Sequence, residues 1–232
     1  MSKEKSFQPS SKCLYRHGDR STAGNCSSIN VGCLNCRSAG TKAAVIHDII
    51  SDYRLDFLAL SETWFTSNTP DAVMNDILPT DYAALHVPRS LSADPDPDGP
   101  SRGGGVSIVH RESVVVRRHR LADEFRPSTC ELQVVRVSSS PSLAYTVFHI
   151  YRPPWMSTVP AFADDFADMI ATFAAKCNDH IIICGDMNCP GTDSSHVDER
   201  LSTVFDSFGL SETTICWTFL CPVIRQRYAT CA

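Results

Sequence analysis

Short, almost wholly apolar runs that end in a polar residue constrain the fold of this chain more than any other feature. Residues 56–60 form one such run and lead through a serine into Glu62, while residues 180–184 lead through a glycine into Asp186. Strands of this composition are typical of a sheet that is covered on both faces. The sequence therefore predicts an α/β fold in which helices pack against buried strands.

The remaining pattern divides into helical and extended segments. Apolar residues recur with helical spacing in the segments 42–53, 160–176 and 197–208, and a short helix is possible near 71–77. Further strands are predicted at 29–35, 103–109, 114–118, 130–137 and 145–151. This order of elements suggests two sheets packed face to face with helices outside them.

Local composition suggests where the folded domain lies. Residues 1–27 are rich in Ser, Lys, Arg and Gly, without periodicity, and we expect a disordered leader. We place the domain at 28–211, with a mobile, turn-rich insertion at 91–102. Residues 212–232 read as a divergent tail that packs poorly against the rest.

The cysteines and the apolar runs indicate the cellular compartment. The chain has 11 Cys, an odd number, and its first ten residues have no apolar core of the secretory type. We therefore expect free thiols and an intracellular, soluble protein of the nucleus or cytoplasm, since no apolar run reaches the ~20 residues of a membrane helix. Cys33 and Cys36, with Cys13 and Cys26 upstream, suggest zinc, but core cysteines are the favoured interpretation.

The charge balance limits the ways in which the protein can bind nucleic acid. The formal net charge is −5, from 21 Lys+Arg and 26 Asp+Glu. This sign argues against a broad electrostatic footprint on DNA, but it allows an enzyme that contacts a few phosphates locally. The basic cluster at residues 117–120 is more typical of a solvated loop than of a DNA-binding surface.

Polar residues at the ends of predicted strands form the candidate site. Asn35 ends the first strand, Glu62 follows a buried strand, and Asp186 and Asn188 follow another. Each alone is better explained as a turn or helix cap, or as solvated surface. Together they supply oxygen ligands at one edge of a sheet, which is the chemistry that Mg²⁺ prefers.

Several short motifs occur in an order and spacing that resemble a known family. They are Leu34-Asn35-Cys36-Arg37-Ser38, Leu60-Ser61-Glu62-Thr63-Trp64, Arg102-Gly103-Gly104-Gly105-Val106, Ile150-Tyr151-Arg152-Pro153-Pro154 and Gly185-Asp186-Met187-Asn188. The chain resembles the endonuclease/exonuclease/phosphatase superfamily, in particular the apurinic-endonuclease-like domain of non-LTR (LINE-type) retrotransposons. The resemblance implies a four-layer α/β sandwich, with two mixed sheets face to face and helices on both outer sides.

The resemblance also implies roles for the site residues. Glu62 is expected to ligate Mg²⁺ or Mn²⁺, with Asn35 beside it holding a metal-bound water or the phosphate. Asp186 is expected to activate the attacking water, Asn188 to orient Asp186 and the phosphate, and Tyr151 to donate to the phosphate. The implied reaction is a nick in one DNA strand by a monomer that does not bind membranes. The reverse transcriptase that such a nick would serve is not in this chain.

The sequence departs from the family after Leu210. The family continues with a Pro-Thr-His-like segment, a strand bearing a Leu-Asp pair and a Ser-Asp-His motif, none of which is present. We therefore expect a C-terminally truncated domain of reduced activity, because one lost donor costs about 10²–10³ in rate. His196 is the one histidine near the predicted site, while His149 and the others match no family histidine and are assigned no chemistry.

Other functions remain open from the sequence alone. One alternative is another enzyme branch of the superfamily, such as an inositol-phosphate phosphatase or a sphingomyelinase. The other is a remnant without catalysis that binds a partner. Trp64 and Phe65, which follow Glu62, either stack on a base or pack the loop, and packing is favoured.

Overall fold

A computed structural model describes residues 11–16, 29–88, 103–125, 127–140, 143–177, 179–189 and 198–212. The strands are β1 (Ser11–Arg16), β2 (Val31–Asn35), β3 (Phe57–Ser61), β4 (Tyr82–Val87), β5 (Val106–Arg111), β6 (Val115–Arg118), β7 (Glu131–Ser140), β8 (Leu143–Tyr151), β9 (His180–Asp186) and β10 (Ser211–Glu212). The α-helices are α1 (Ala43–Asp52), α2 (Asp71–Asn75), α3 (Val159–Lys176) and α4 (Glu199–Ser207).

The strands form two mixed sheets. One sheet has the order β10-β1-β9-β8-β7-β6 and the other has the order β2-β3-β5-β4. A core of apolar residues from β2, β3 and β5 packs against β7, β8 and β9 between the sheets. Two further cores lie outside, one under α3 and α4 and the other under α1 and α2. The predicted four-layer α/β sandwich is therefore confirmed.

The helices form where an apolar stripe meets a sheet. In α3 the buried side chains include Phe162, Phe166 and Phe173, which follow the spacing of one helix face. The helix begins at a capping residue, Thr158, whose side chain accepts a hydrogen bond from the backbone N–H of Ala161. The helices predicted at 42–53, 160–176 and 197–208 are thus confirmed to within a few residues at each end.

The structure corrects some boundaries. The expectation that residues 1–27 lack regular structure is wrong for Ser11–Arg16, which pairs with β9 inside the six-stranded sheet. Tyr82–Val87 forms a strand that the sequence pattern does not predict, and Glu212, the first residue of the predicted tail, pairs with β1. The insertion at 91–102, the other residues of 1–27 and the tail from 213 lie outside the described residues.

The cysteines and helices of the described residues have the following properties. Cys33, Cys36, Cys130, Cys177, Cys184 and Cys189 are not in disulfide bonds, and all but Cys177 are buried. No helix in these ranges combines the length and the apolarity that crossing a bilayer requires.

Gly185 allows β9 to lie close against β8 just before the chain reaches Asp186. It pairs with Ile150 in parallel register and has a φ of +136°, which side chains rarely adopt. A Cβ at this position would overlap the backbone carbonyl of Ile150. The Gly-Asp sequence is therefore a steric requirement of the sheet, and it brings Asp186 opposite Tyr151.

We expect Gly185→Ala to lower the free energy of unfolding by at least about 3 kcal/mol, because overpacking and an unfavourable φ combine. Gly209 is the matched control, since its φ is also positive, at +60°, but a Cβ at that position would meet no atom within 4 Å. Gly209→Ala should cost only about 1–2 kcal/mol. Urea denaturation measures both, and equal losses would contradict the steric explanation.

Candidate active site

The two sheets meet at a cluster of four predicted site residues. The amide nitrogen Nδ2 of Asn35 donates to Oε1 of Glu62 at 2.7 Å and to Oδ2 of Asp186 at 2.8 Å. The hydroxyl of Tyr151 donates to the same Oε1 of Glu62 at 3.0 Å. Asn35 and Glu62 come from the four-stranded sheet, and Tyr151 and Asp186 come from the six-stranded sheet. The cluster therefore spans the gap between the sheets.

Asn188 lies next to this cluster but directs its side chain elsewhere. Its backbone N–H donates to Oδ1 of Asp186 at 3.2 Å, while its side-chain amide donates to the carbonyl of Arg152 at 2.9 Å. Asn188 has a left-handed φ of 46°, which allows both contacts. Its contact with Asp186 is thus made by the backbone, and the side chain fixes the loop that follows Tyr151.

Glu62 sits in a backbone frame made by the loops on either side. Its φ is 55°, a conformation that costs about 1–2 kcal/mol for a residue with a Cβ. The N–H of Ser38 donates to the carbonyl of Glu62 at 2.9 Å, and the next N–H, of Thr63, donates to the carbonyl of Gly105 at 3.1 Å. These bonds hold the strained residue, so the carboxylate is presented from a fixed backbone.

Arg152 provides the corresponding support for Asp186. Its buried guanidinium donates to the carbonyl of Met187 at 2.7 Å, to that of Ser157 at 2.7 Å and to that of Asn188. Its backbone N–H also donates to the carbonyl of Asp186 at 2.9 Å. In the sequence, Arg152 stands out only as part of a motif. In the structure, its side chain holds the loop after β9.

Glu131 is a further carboxylate that the sequence analysis missed. It lies opposite Tyr151 in the pairing of β7 with β8, and its Oε2 accepts from the N–H of Gly105 at 2.6 Å. Because Gly105 in turn binds the Glu62 loop, Glu131 ties that loop to the other sheet. The sequence predicts a strand from residue 130, but its pattern does not distinguish this carboxylate from an exposed surface residue.

The electrostatics of the cluster keep Tyr151 protonated. Burial raises the pKa of Tyr151 well above its usual range, and the neighbouring charge and hydrogen bond of Glu62 raise it further. Burial also raises the pKa of the Cys36 thiol to about 12, which excludes it as a thiolate nucleophile at neutral pH. Tyr151 is thus a hydrogen-bond donor, and the ionisable acceptors of the cluster are Glu62 and Asp186.

The donor set fits a hard cation that is held by few protein ligands. Glu62 is half-buried, and none of the described residues donates a hydrogen bond to its Oε2. The same part of the chain has no group of three or more His, Cys, Asp or Glu side chains that could hold a metal ion. This arrangement suits Mg²⁺ or Mn²⁺, which bind one or two carboxylates and keep their remaining sites for water and phosphate.

The other candidates from the sequence have structural roles where they are described. Cys36 donates through Sγ to the carbonyl of Ser61 at 3.3 Å, which is the contact of a core thiol. Phe65 is buried, as packing predicts, whereas Trp64 is exposed. In the basic cluster Arg118 pairs with Asp123 on the surface. Cys26 and His196 lie outside the described residues.

Comparisons with known proteins agree with the fold. The family model described as "Endonuclease/Exonuclease/phosphatase family" matches residues 27–220. A sequence search of the curated proteins finds no match.

Solved structures with a similar fold come from different sources. The endonuclease domain of TRAS1, a telomere-specific non-LTR retrotransposon, has a TM-score of 0.53 at 12% identity, over 79% of this chain and 73% of that one. AP endonuclease LMAP from Leishmania major has a TM-score of 0.52 at 13% identity, over 72% of this chain and 57% of that one. The 3'-5' exonuclease NExo from Neisseria meningitidis has a TM-score of 0.51 at 13% identity, over 78% and 70%. At such identities the likeness shows a shared fold alone.

We expect Arg152→Met to lower the free energy of unfolding by at least about 3 kcal/mol, since it removes charged donors from three carbonyls. Arg152→Lys should not restore the loss, because one ammonium group cannot reproduce the planar fork of donors.

The control for this prediction is Arg111→Met. The Nε of Arg111 pairs with Asp56 at 3.1 Å, but its side chain is 38% exposed, and such pairs contribute at most about 1 kcal/mol. Urea denaturation of the variants decides the comparison. Equal losses at the two positions would show that the carbonyl contacts of Arg152 add no more than a surface ion pair.

Proposed function

Because the chain belongs to the endonuclease/exonuclease/phosphatase family, we propose that it hydrolyses phosphodiester bonds in DNA with the help of a divalent cation. The observation that carries the proposal is the amide of Asn35, which donates to Glu62 and to Asp186 across the two sheets. Two carboxylates of one enzyme are useful for hydrolysis when they face one space and differ in environment. Glu62 is half-buried with one oxygen available, and Asp186 is buried with both oxygens bonded.

Glu62 is the proposed ligand of Mg²⁺ or Mn²⁺. When bound there, such an ion polarises the phosphate and stabilises the departing oxygen. The carbonyl and carboxyl groups of Glu62 are held by neighbouring backbone and side-chain donors, so this ligand needs little reorganisation.

Asp186 is the proposed acceptor of the proton from the attacking water. Its Oδ2 is held by Asn35 and its Oδ1 by the N–H of Asn188, which fixes the carboxylate plane. Tyr151 stays protonated, so its hydroxyl can leave Glu62 and donate to a phosphate oxygen. Asn35 has a similar role, because its amide nitrogen can donate to a phosphate oxygen on which negative charge develops.

A retroelement origin and DNA as the partner form the finer part of the proposal. The motifs around Asn35, Glu62, Gly104, Tyr151 and Asp186 support it, as does the fold shared with the TRAS1 endonuclease domain. We further propose that the protein acts as a monomer and contacts only a few phosphates, in keeping with its net charge of −5.

We propose reduced activity for a protein of these 232 residues, which contain no Ser-Asp-His tripeptide. Plasmid nicking should be at least about 10²-fold slower than in a relative that has this motif, which is the loss from one missing donor. A supercoiled-plasmid relaxation assay measures the rate. Nicking at the full rate would mean that another residue supplies the donor, and His196 would be tested first.

The remaining activity should vanish with EDTA and in Glu62→Ala, because both remove the cation from the site. The matched control is Glu112→Ala, an exposed carboxylate directly after the far end of β5, which should nick at the parental rate. Nicking that persists in Glu62→Ala would indicate a contaminant or another site. Hydrolysis of a soluble phosphate monoester without nicking would favour the phosphatase branch, and failure to bind Mg²⁺ would favour a non-catalytic protein.

A further inference from the structure

A hydrogen bond between Ser61 and His149 joins the two sheets directly behind the proposed active site. The hydroxyl Oγ of Ser61 lies 3.0 Å from Nε2 of His149, and both side chains are fully buried. Ser61 ends β3 and immediately precedes Glu62. His149 lies two residues before Tyr151 on β8, so the two side chains share one face of that strand. Each end of the bond therefore adjoins a residue of the site.

The core between the sheets is mostly apolar, although the buried Gln133 lies opposite His149 in the pairing of β7 with β8. Apolar residues of both sheets pack in this core, among them Cys33, Val147 and Cys184. The hydrophobic attraction between the sheets is not directional, so it favours close packing more than any one hydrogen-bonding geometry. A hydrogen bond has a preferred length and angle, so it favours one register of the two sheets.

Gln133, on the strand next to His149, makes another cross-sheet bond. The amide of Gln133 donates to the carbonyl of Leu85 at 3.0 Å and joins β7 to β4. Gln133 lies opposite His149 in the pairing of β7 with β8, but β4, the strand that it contacts, carries no proposed site residue. The Ser61–His149 bond, in contrast, links the strand that leads to Glu62 with the strand that ends at Tyr151.

Stability alone does not account for a histidine at this position. Within the described residues, Nδ1 of His149 is buried without a hydrogen-bond partner. Burial lowers the pKa of His149 to about 4, so the ring is neutral at neutral pH. A buried polar atom without a partner is costly, and replacing both members of such a pair by apolar groups of similar shape is often nearly neutral.

The site needs a link between the sheets that catalysis leaves intact. Other side-chain bonds also cross the gap near the site. Those from Asn35 to Asp186 and from Tyr151 to Glu62 must exchange partners when phosphate is bound. The bond from the N–H of Gly105 to Glu131 holds the loop after Glu62 and not the strand that leads to it. The Ser61–His149 bond is sealed from the cleft. We propose that Ser61 and His149 are positioning residues that keep the Asn35–Glu62 half of the site in register with the Tyr151–Asp186 half.

The kinetic consequence rests on the proposed hydrolase function, whereas the alignment of the two halves does not. The experiment therefore measures both. The variants are Ser61→Ala, His149→Leu, the double variant, and His149→Gln, whose amide reaches about the place of Nε2. The matched controls are Ser107→Ala and His86→Leu, a second His–Ser pair at 2.7 Å that joins neighbouring strands β4 and β5 of one sheet.

The first readout is backbone hydrogen exchange by mass spectrometry, on peptides that cover residues 57–65 and 180–189. Ser61→Ala and His149→Leu should each raise exchange severalfold in both peptides, the double variant should match the single variants, and His149→Gln should restore the parental rate. The controls should leave the 180–189 peptide unchanged. The double variant should fold about as stably as the parent and more stably than Ser61→Ala or His149→Leu, because each single variant leaves one buried partner unpaired.

The second readout is the hydrolysis of a labelled DNA duplex with Mg²⁺. Loss of the link should lower kcat by about 10²-fold, the effect of a displacement of ~1 Å, with little change in KM. Unchanged exchange in both peptides, or additive losses of kcat in the double variant, would overturn the positioning role. A parent protein that hydrolyses no DNA would refute the proposed function alone, because the exchange measurement still decides the alignment.

Discussion

The site depends on one amide group that lies between two carboxylates. Glu62 and Asp186 belong to different sheets, and their like charges oppose a close approach. The Nδ2 group of Asn35 donates to both, so it compensates each charge and defines the distance between the sheets at this edge. An asparagine fits this position better than an aspartate, which would add a third negative charge and no donor. The packing of the sheets on their apolar inner faces brings these groups together, and the hydrogen bonds from the amide offset the repulsion between the two carboxylates.

Each carboxylate has its own rigid support. Glu62 is held in a left-handed conformation by backbone bonds to the loops around Ser38 and Gly105, and Asp186 is held by the loop that Arg152 binds. These two supports belong to separate sheets, so they do not stabilise each other through the backbone. Within the described residues they are connected by hydrogen bonds of side chains, which makes the geometry of the site sensitive to how the sheets are aligned. Strain that is stored at Glu62 and offset by surrounding bonds is typical of functional sites.

The sequence predicts the parts of this arrangement that depend on local pattern. Buried strands before Glu62 and Asp186 are recognisable because both of their faces are covered, and their ends lie at one edge of the fold. Tyr82–Val87 is missed because its residues are only half-buried and show no alternation. Ser11–Arg16 is missed because its partner strand ends at Asp186, far along the chain, and no local signal reports such a pairing. The direction of the Asn188 side chain is missed for a similar reason, since a left-handed backbone turns it towards Arg152.

The charges around the site determine how a phosphate can be bound at all. The cluster presents carboxylates on a chain with a net charge of −5, so a polyanion is repelled unless a cation intervenes. Arg152 is the buried cation next to the cluster, but its guanidinium is occupied by three backbone carbonyls. In the proposed function, the described cluster would therefore offer a phosphate neutral donors, from Asn35 and Tyr151, and two acceptors. Substrate binding and catalysis would then, in the proposed function, depend on the same ion at Glu62, so the affinity for DNA should rise and fall with the concentration of the divalent cation.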